Sequence, residues 1–191
     1  MEDVVTIAAI DFEASCLPRH GRSFPIEVGV SVAGRTRSWL IRPHDSWLGW
    51  DWTAEAEALH GLTLSRILRE GLPVDAVLDR LIAAAEGHRV VADSVIDQYW
   101  LETLARAAGE SAPFLIDHVS IVLDEYSAGD QSIGAAVAHA DSVQPVRHRA
   151  GSDAAWLAAL IHHVVSDRPH IPAMPPAARI PAASVSAGNN L

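Results

Sequence analysis

IAAIDFEASC, residues 7–16, places Asp11 and Glu13 directly behind a run of small and branched apolar residues. With residues 4–6 in front of it, the run reads as a buried strand over 4–10, short, apolar and bounded by charge. A carboxylate beside a core costs free energy unless it is paired or hydrogen-bonded. Two at the end of such a strand need a reason. Residues i and i+2 of a strand point to one face, so both carboxylates converge on one point. Carboxylates that stay ionised side by side want a cation between them, and oxygen-only ligands suit Mg²⁺ or Mn²⁺ rather than zinc. A chain with 24 acids in 191 residues produces an Asp-x-Glu spacing by chance. Its position at the end of an apolar first strand is what gives it weight, against the plainer reading of two unrelated acids at a solvated strand end.

The composition narrows the chemistry. A chain of 191 residues, nearly half of them apolar, suits one domain with a sizeable core, or one domain and a tail. The net charge of −10 argues against a protein that coats nucleic acid by charge alone, though not against an enzyme that meets phosphate through metal ions. All 14 basic residues are Arg, which removes Schiff-base chemistry and a Walker-type phosphate loop with its Lys. Cys16 is the single cysteine, so there is neither an internal disulfide nor a Cys-based zinc site. The opening MEDVVTIAAIDFEAS lacks the basic stretch of a signal peptide, and no apolar run approaches the roughly 18–20 residues of a membrane span. The expectation is a soluble, cytoplasmic protein.

Strands are expected at 26–32 (IEVGVSV) and 36–43 (TRSWLIRP), joined to the first by short connections that suggest an antiparallel meander. The period then becomes helical. Thr53 caps a short helix over 53–59, Thr63 caps another over 64–70, and Val74, Val77, Leu78, Leu81 and Ile82 mark a third over 74–86. A fourth strand (88–93), a helix (95–108), a fifth strand in FLID (114–117) and helices near 119–127, 131–140 and 152–165 follow. From 168 the chain is rich in Pro, Ala and Ser without apolar period, and reads as a tail. The fold class is therefore α/β: a domain over 1–167 with a mixed sheet flanked by helices, and a tail over 168–191.

A two-metal site needs further carboxylates. In VVADSVIDQYWLETL (90–104), Asp93 ends the fourth strand and Asp97 opens the next helix, where the helix dipole alone also favours an acid. In VRHRAGSDAAWLAALI (146–161), His148 precedes a helix and Asp153 lies in its first turns. A His there can take a proton from water while the Asp holds metal. The same His-x4-Asp spacing occurs at His88/Asp93 and His162/Asp167. Only His148/Asp153 opens a helix after the other acids.

Taken together, IDFEAS (Asp11, Glu13), ADSVIDQYWL (Asp97) and HRAGSDAAWL (His148, Asp153) resemble the motifs of the DEDDh, or DnaQ-like, 3′–5′ exonucleases of the ribonuclease H-like superfamily. ALHGLT (58–63) resembles the His-Gly turn that these proteins carry between their first and second motifs. The resemblance spans about residues 4–165, with the motifs in order. It implies a ribonuclease H-like sheet of about five strands, three antiparallel and then parallel. It implies two Mg²⁺ or Mn²⁺ ions on Asp11, Glu13, Asp97 and Asp153, and His148 as general base. The expected partners are nucleic acid 3′ ends and the products nucleoside 5′-monophosphates. Ser15, His60 and Phe12 are the residues it places near substrate, although Phe12 points to the opposite face from the acids, where core packing is the default.

The match has departures. Many members begin the second motif with His-Asn, where this chain has Ala92 and Asp93, an added acid beside the site. Many follow the first motif with two Thr, where Ala14 and Ser15 stand here. Glu27 resembles an acid common on the second strand, with a structural role as fitting as a site role. Arg147 and Arg149 either reach a phosphate or are surface groups. Trp50 and Trp52 suit packing better than base stacking. Two function classes remain open on the sequence: a 3′–5′ exonuclease, and a non-catalytic module of the same fold that binds a partner protein or nucleotide. A hydrolase of another phosphodiester, such as a small dinucleotide, shares the same site.

Overall fold

The computed structural model describes residues 6–166. The first residues of the expected opening strand and the expected tail from 168 on lie outside the described residues. The sheet has five strands in the order β3-β2-β1-β4-β5. The meander is β1 (Ile7–Ala14), β2 (Pro25–Val32) and β3 (Arg35–Leu40), all antiparallel. β4 (Arg89–Ala92) lies parallel to β1, and the two-residue β5 (Asp117–His118) parallel to β4. The helices are α1 (Ala54–His60), α2 (Leu64–Glu70), α3 (Val74–Ala85), α4 (Asp97–Ala107), α5 (Val119–Glu125), α6 (Asp130–Val143) and α7 (Ala150–Ser166). The expected α/β mixed sheet flanked by helices is the observed architecture.

Strand alternation splits β1 between two cores. Ala8, Ile10, Phe12 and Ala14 join Ile67 of α2, Leu78 and Leu81 of α3, and Leu101 and Leu104 of α4 in the larger one. Ala9 faces the other way, against Val122 of α5, Ala136 and Ala140 of α6, and Leu157, Leu160, Ile161 and Val164 of α7. Asp11 and Glu13 continue the Ala9 side. They therefore project from the face that α7 covers.

β1 does not stop at Ile10. β2 keeps pairing with it through Asp11↔Gly29 and Glu13↔Glu27, up to an irregularity between Glu13 and Ala14. The parallel neighbour β4 pairs only with Ile7, Ala8 and Ala9. Beyond Ala9, β1 is thus held on one side and open on the other, at the carboxyl ends of two parallel strands, where α/β sheets form crevices. The acids lie inside the strand rather than behind it.

The helix starts read in the sequence hold locally. The Thr53 hydroxyl accepts from the Ala56 N–H at 3.3 Å and that of Thr63 from the Arg66 N–H at 3.2 Å. Gly61 ends α1 at φ 68°, which glycine adopts without strain. FLID is a strand only at its last residue: the Ile116 N–H goes to the Gln98 side chain at 2.9 Å, and Phe114 and Ile116 pack on the larger core. α4 begins at Asp97 rather than 95, after a turn in which the Ser94 hydroxyl accepts from the Ile96 N–H at 3.3 Å. No helix among the described residues is long and apolar enough to cross a membrane.

One glycine fixes where α7 starts. A Cβ on Gly29 would lie 2.2 Å from the Ala150 carbonyl group, so β2 and the first turn of α7 touch backbone to backbone. Gly29→Ala forces that turn off the sheet. The expected cost is about 1–3 kcal/mol, the range for overpacking, read as a melting temperature lowered by roughly 2–4 °C per kcal/mol in a chain of this size. An unchanged melting temperature would show that the contact yields freely.

Candidate metal centre

Four elements bring carboxylates to the open end of β1. Asp11 and Glu13 come from the strand, Asp93 from the residue after β4, Asp97 from the first position of α4 and Asp153 from the first turns of α7. Asp11, Glu13 and Asp153 can present ligand oxygens within 4.8 Å of one another, and so can Asp11, Asp93 and Asp97. The two groups share Asp11. Asp97 is 1% exposed, and its Oδ1 accepts the Phe12 N–H at 3.1 Å on the edge of β1 that β4 has left. Its Oδ2 is buried without a hydrogen-bond partner among the described residues. A buried carboxylate oxygen left unsatisfied is costly, and a cation removes the cost.

The electrostatics agree. Burial, followed by Asp97, Glu13, Asp153 and Asp93, holds the Asp11 carboxyl well above the usual carboxylate range. Burial and then Asp153 and Glu27 push Glu13 up to about 8, against an opposing pull from Arg149. Burial and then Asp93 push Asp97 up to about 8, with the Phe12 N–H opposing. Asp93 is raised as well, burial first. Like charges crowded in a partly buried cleft disfavour ionisation, and divalent cations restore it. An all-oxygen donor set of this kind fits Mg²⁺ or Mn²⁺.

The start of α7 is wired to Asp153 and Glu27. Asp153 Oδ2 accepts the backbone N–H of His148 at 2.7 Å and of Arg149 at 3.2 Å, while Oδ1 takes the Arg147 Nε. The Arg147 guanidinium lies 4.1 Å over the Trp156 ring. His148 is exposed and held at φ 64°, a left-handed backbone uncommon outside glycine. Glu27, 2% exposed, grips Arg149 with two bonds of 2.9 and 2.8 Å and also accepts the Ala150 N–H. Neither Arg is a free surface group, and Glu27 is an anchor of α7.

The structure thus brings together Asp11, Glu13, Asp97 and Asp153, with the exposed His148 tied to Asp153 through its backbone N–H. The substrate candidates sit differently. The Phe12 ring is 4% exposed in the larger core, and what Phe12 brings to the site is its backbone N–H. Ser15 is fully buried, its hydroxyl accepting from the Phe24 N–H at 3.1 Å and its carbonyl from the Thr53 N–H at 3.0 Å. His60 is 5% exposed; its Nδ1 accepts from the Leu62 N–H at 3.0 Å, which leaves the proton on Nε2. Burial lowers the His60 pKa. Trp50 and Trp52 pack on the larger core. Asp93 joins the acid cluster although the sequence motif does not ask for it.

Neither the known protein-family models nor the curated protein sequences contain a match to this chain. Solved structures do. A 3′-exonuclease, solved for its 3′-end-specific recognition of a histone mRNA stem-loop, matches with a TM-score of 0.61 at 16% identity, over 83% of this chain and 80% of that one. E. coli Exonuclease I in complex with a dT13 oligonucleotide gives 0.61 at 12% identity over 86% of this chain, which spans only 41% of the bacterial one. S. pombe Pop2p in its Mg²⁺- and Mn²⁺-bound form gives 0.57 at 14% identity, over 86% and 84%. This chain has the ribonuclease H-like fold, shared with these three solved structures.

Proposed function

We propose that the protein is a metal-dependent 3′–5′ exonuclease that releases nucleoside 5′-monophosphates from single-stranded DNA, RNA or short oligonucleotides. The observation that supports it is the pair of carboxylate groups joined at Asp11, on a fold shared with 3′-exonucleases. Asp11, Glu13 and Asp153 would hold one cation, and Asp11 with Asp97 a second. When bound, two such cations lower the pKa of an attacking water and stabilise the leaving 3′ oxygen. His148, exposed beside the cluster, takes the proton of that water as general base. Arg147 gives up Asp153 Oδ1 as the site fills, and its guanidinium, seated on Trp156, is then placed to meet a phosphate. Cations rather than surface charge bring the substrate in, in keeping with a net charge of −10.

The test is a 5′-labelled DNA strand and an RNA of the same sequence, each with Mg²⁺, Mn²⁺ or EDTA. A metal-dependent ladder shortening from the 3′ end is expected, with His148→Ala slowed roughly 10²–10⁴-fold, the usual worth of a general base. No ladder on either strand, or an equal ladder from His148→Ala and the parent, would overturn the reading or the role of His148 respectively.

A further inference from the structure

Asp93 lies outside the set of residues that the motifs assign, yet it has the surroundings of a ligand. It follows directly on β4, and its main chain is pinned: His118 Nδ1 accepts the Ser120 N–H at 3.2 Å, so Nε2 carries the proton and donates to the Asp93 carbonyl at 3.0 Å. The carboxylate is exposed and forms no salt bridge within 4.0 Å among the described residues, although Arg147 and, more weakly, His118 favour its charge. It falls within 4.8 Å of oxygens of Asp11 and Asp97. Asp97 is 1% exposed and its Oδ2 has no partner, so one buried oxygen in the same group waits for a donor or a cation.

We propose that Asp93 is a third carboxylate ligand of the cation held by Asp11 and Asp97, so that this second site binds a hard divalent ion without help from substrate. The proposal rests on the two-cation reading above. Mg²⁺ and Mn²⁺ sites built from one or two carboxylates are ordinarily completed by waters and substrate phosphate oxygens. A third carboxylate on a pinned backbone supplies charge and a ligand in advance. Both cations are then in place before a 3′ end arrives, and the added negative charge falls on the ion rather than on the incoming phosphate.

The experiment is a Mn²⁺ titration of the full chain without nucleic acid, following free Mn²⁺ by electron paramagnetic resonance. Asp93→Asn keeps the shape, removes the charge and restores the residue type common in the resembled exonucleases. Asp153→Asn weakens the other site and serves as control. The parent is expected to take up two Mn²⁺ tightly, and Asp93→Asn one tightly and one weakened by more than the roughly 10- to 100-fold that loss of a mere outer-sphere partner costs. Asp153→Asn should keep the Asp93-dependent ion. Equal uptake by Asp93→Asn and the parent would overturn the proposal and leave the exonuclease reading intact. Fewer than two tight ions on the parent would overturn it too. The strand-shortening assay then tells whether the exonuclease reading falls with it.

Discussion

Asp11→Asn is expected to lose hydrolysis by roughly a thousandfold or more while the metal-free protein becomes harder to melt. Asp11 is the one residue common to both carboxylate groups. On the two-cation proposal, loss of the shared ligand removes several kcal/mol of charge stabilisation in the transition state, and each 1.4 kcal/mol is about tenfold in rate. Stability moves the other way. Burial and four neighbouring acids hold the Asp11 carboxyl well above the usual range, so an ionised Asp11 is a burden on the metal-free fold. Asn has the same shape and no charge. Relief of such a functional burden commonly contributes about 0.5–2 kcal/mol, or roughly 2–4 °C in melting temperature for each kcal/mol. Saturating Mn²⁺ should reverse the order, since the parent gains from the ions and the variant does not. Calorimetric melting with and without Mn²⁺, beside a strand-shortening assay, checks both halves. A variant that melts lower without metal, or still degrades strands at the parent's rate, would show that Asp11 is an ordinary structural acid.

Much of this site was written in hydrophobic pattern, more legibly than in motif spacing. Asp153 stands at i, i+4, i+7, i+8 and i+11 with Leu157, Leu160, Ile161 and Val164, the stripe by which α7 packs on the sheet. Asp97 stands likewise with Trp100, Leu101 and Leu104 on the buried side of α4. An acid on an apolar stripe has to face another element, and this gives Asp97 and Asp153 a reason that motif spacing alone does not supply. Glu27, flanked by the buried Ile26 and Val28, carries the same message, since a central acid on a core strand demands a partner. What sequence could not supply was tertiary. The length of β1 depends on β2 staying paired after β4 ends. The pairing of Arg149 with Glu27 crosses 122 positions of chain. Asp93 reads as a departure from a motif until Asp11 and Asp97 are seen around it.

The acid cluster also fixes how the metal-free fold should answer to pH. Glu13 rises from 4.5 to about 8 and Asp97 from 3.8 to about 8. Between those limits the folded chain keeps protons that the unfolded chain has released. More protons on the folded state mean that stability falls as pH rises across this range, and Asp11, held above its usual range by burial, acts in the same direction. His60 pulls the other way, because burial lowers its pKa from 6.5; its contribution to stability is complete once pH exceeds that value. The clean window therefore runs from pH 6.5 to 8, where the metal-free melting temperature should drop. Divalent ions compete with the same protons, so their stabilisation should grow across the same window. An ion at a hundred times its dissociation constant contributes about 2.7 kcal/mol, which corresponds to roughly 5–11 °C in a chain this long. Melts with EDTA or excess Mg²⁺ at the two pH values give four numbers, and the difference between the metal shifts is the decisive one. A metal-free melting temperature that climbs from pH 6.5 to 8, or a metal shift equal at both, would mean that these carboxylates are already ionised and satisfied without a cation. The cleft would then lack the electrostatic strain on which the metal-centre proposal rests.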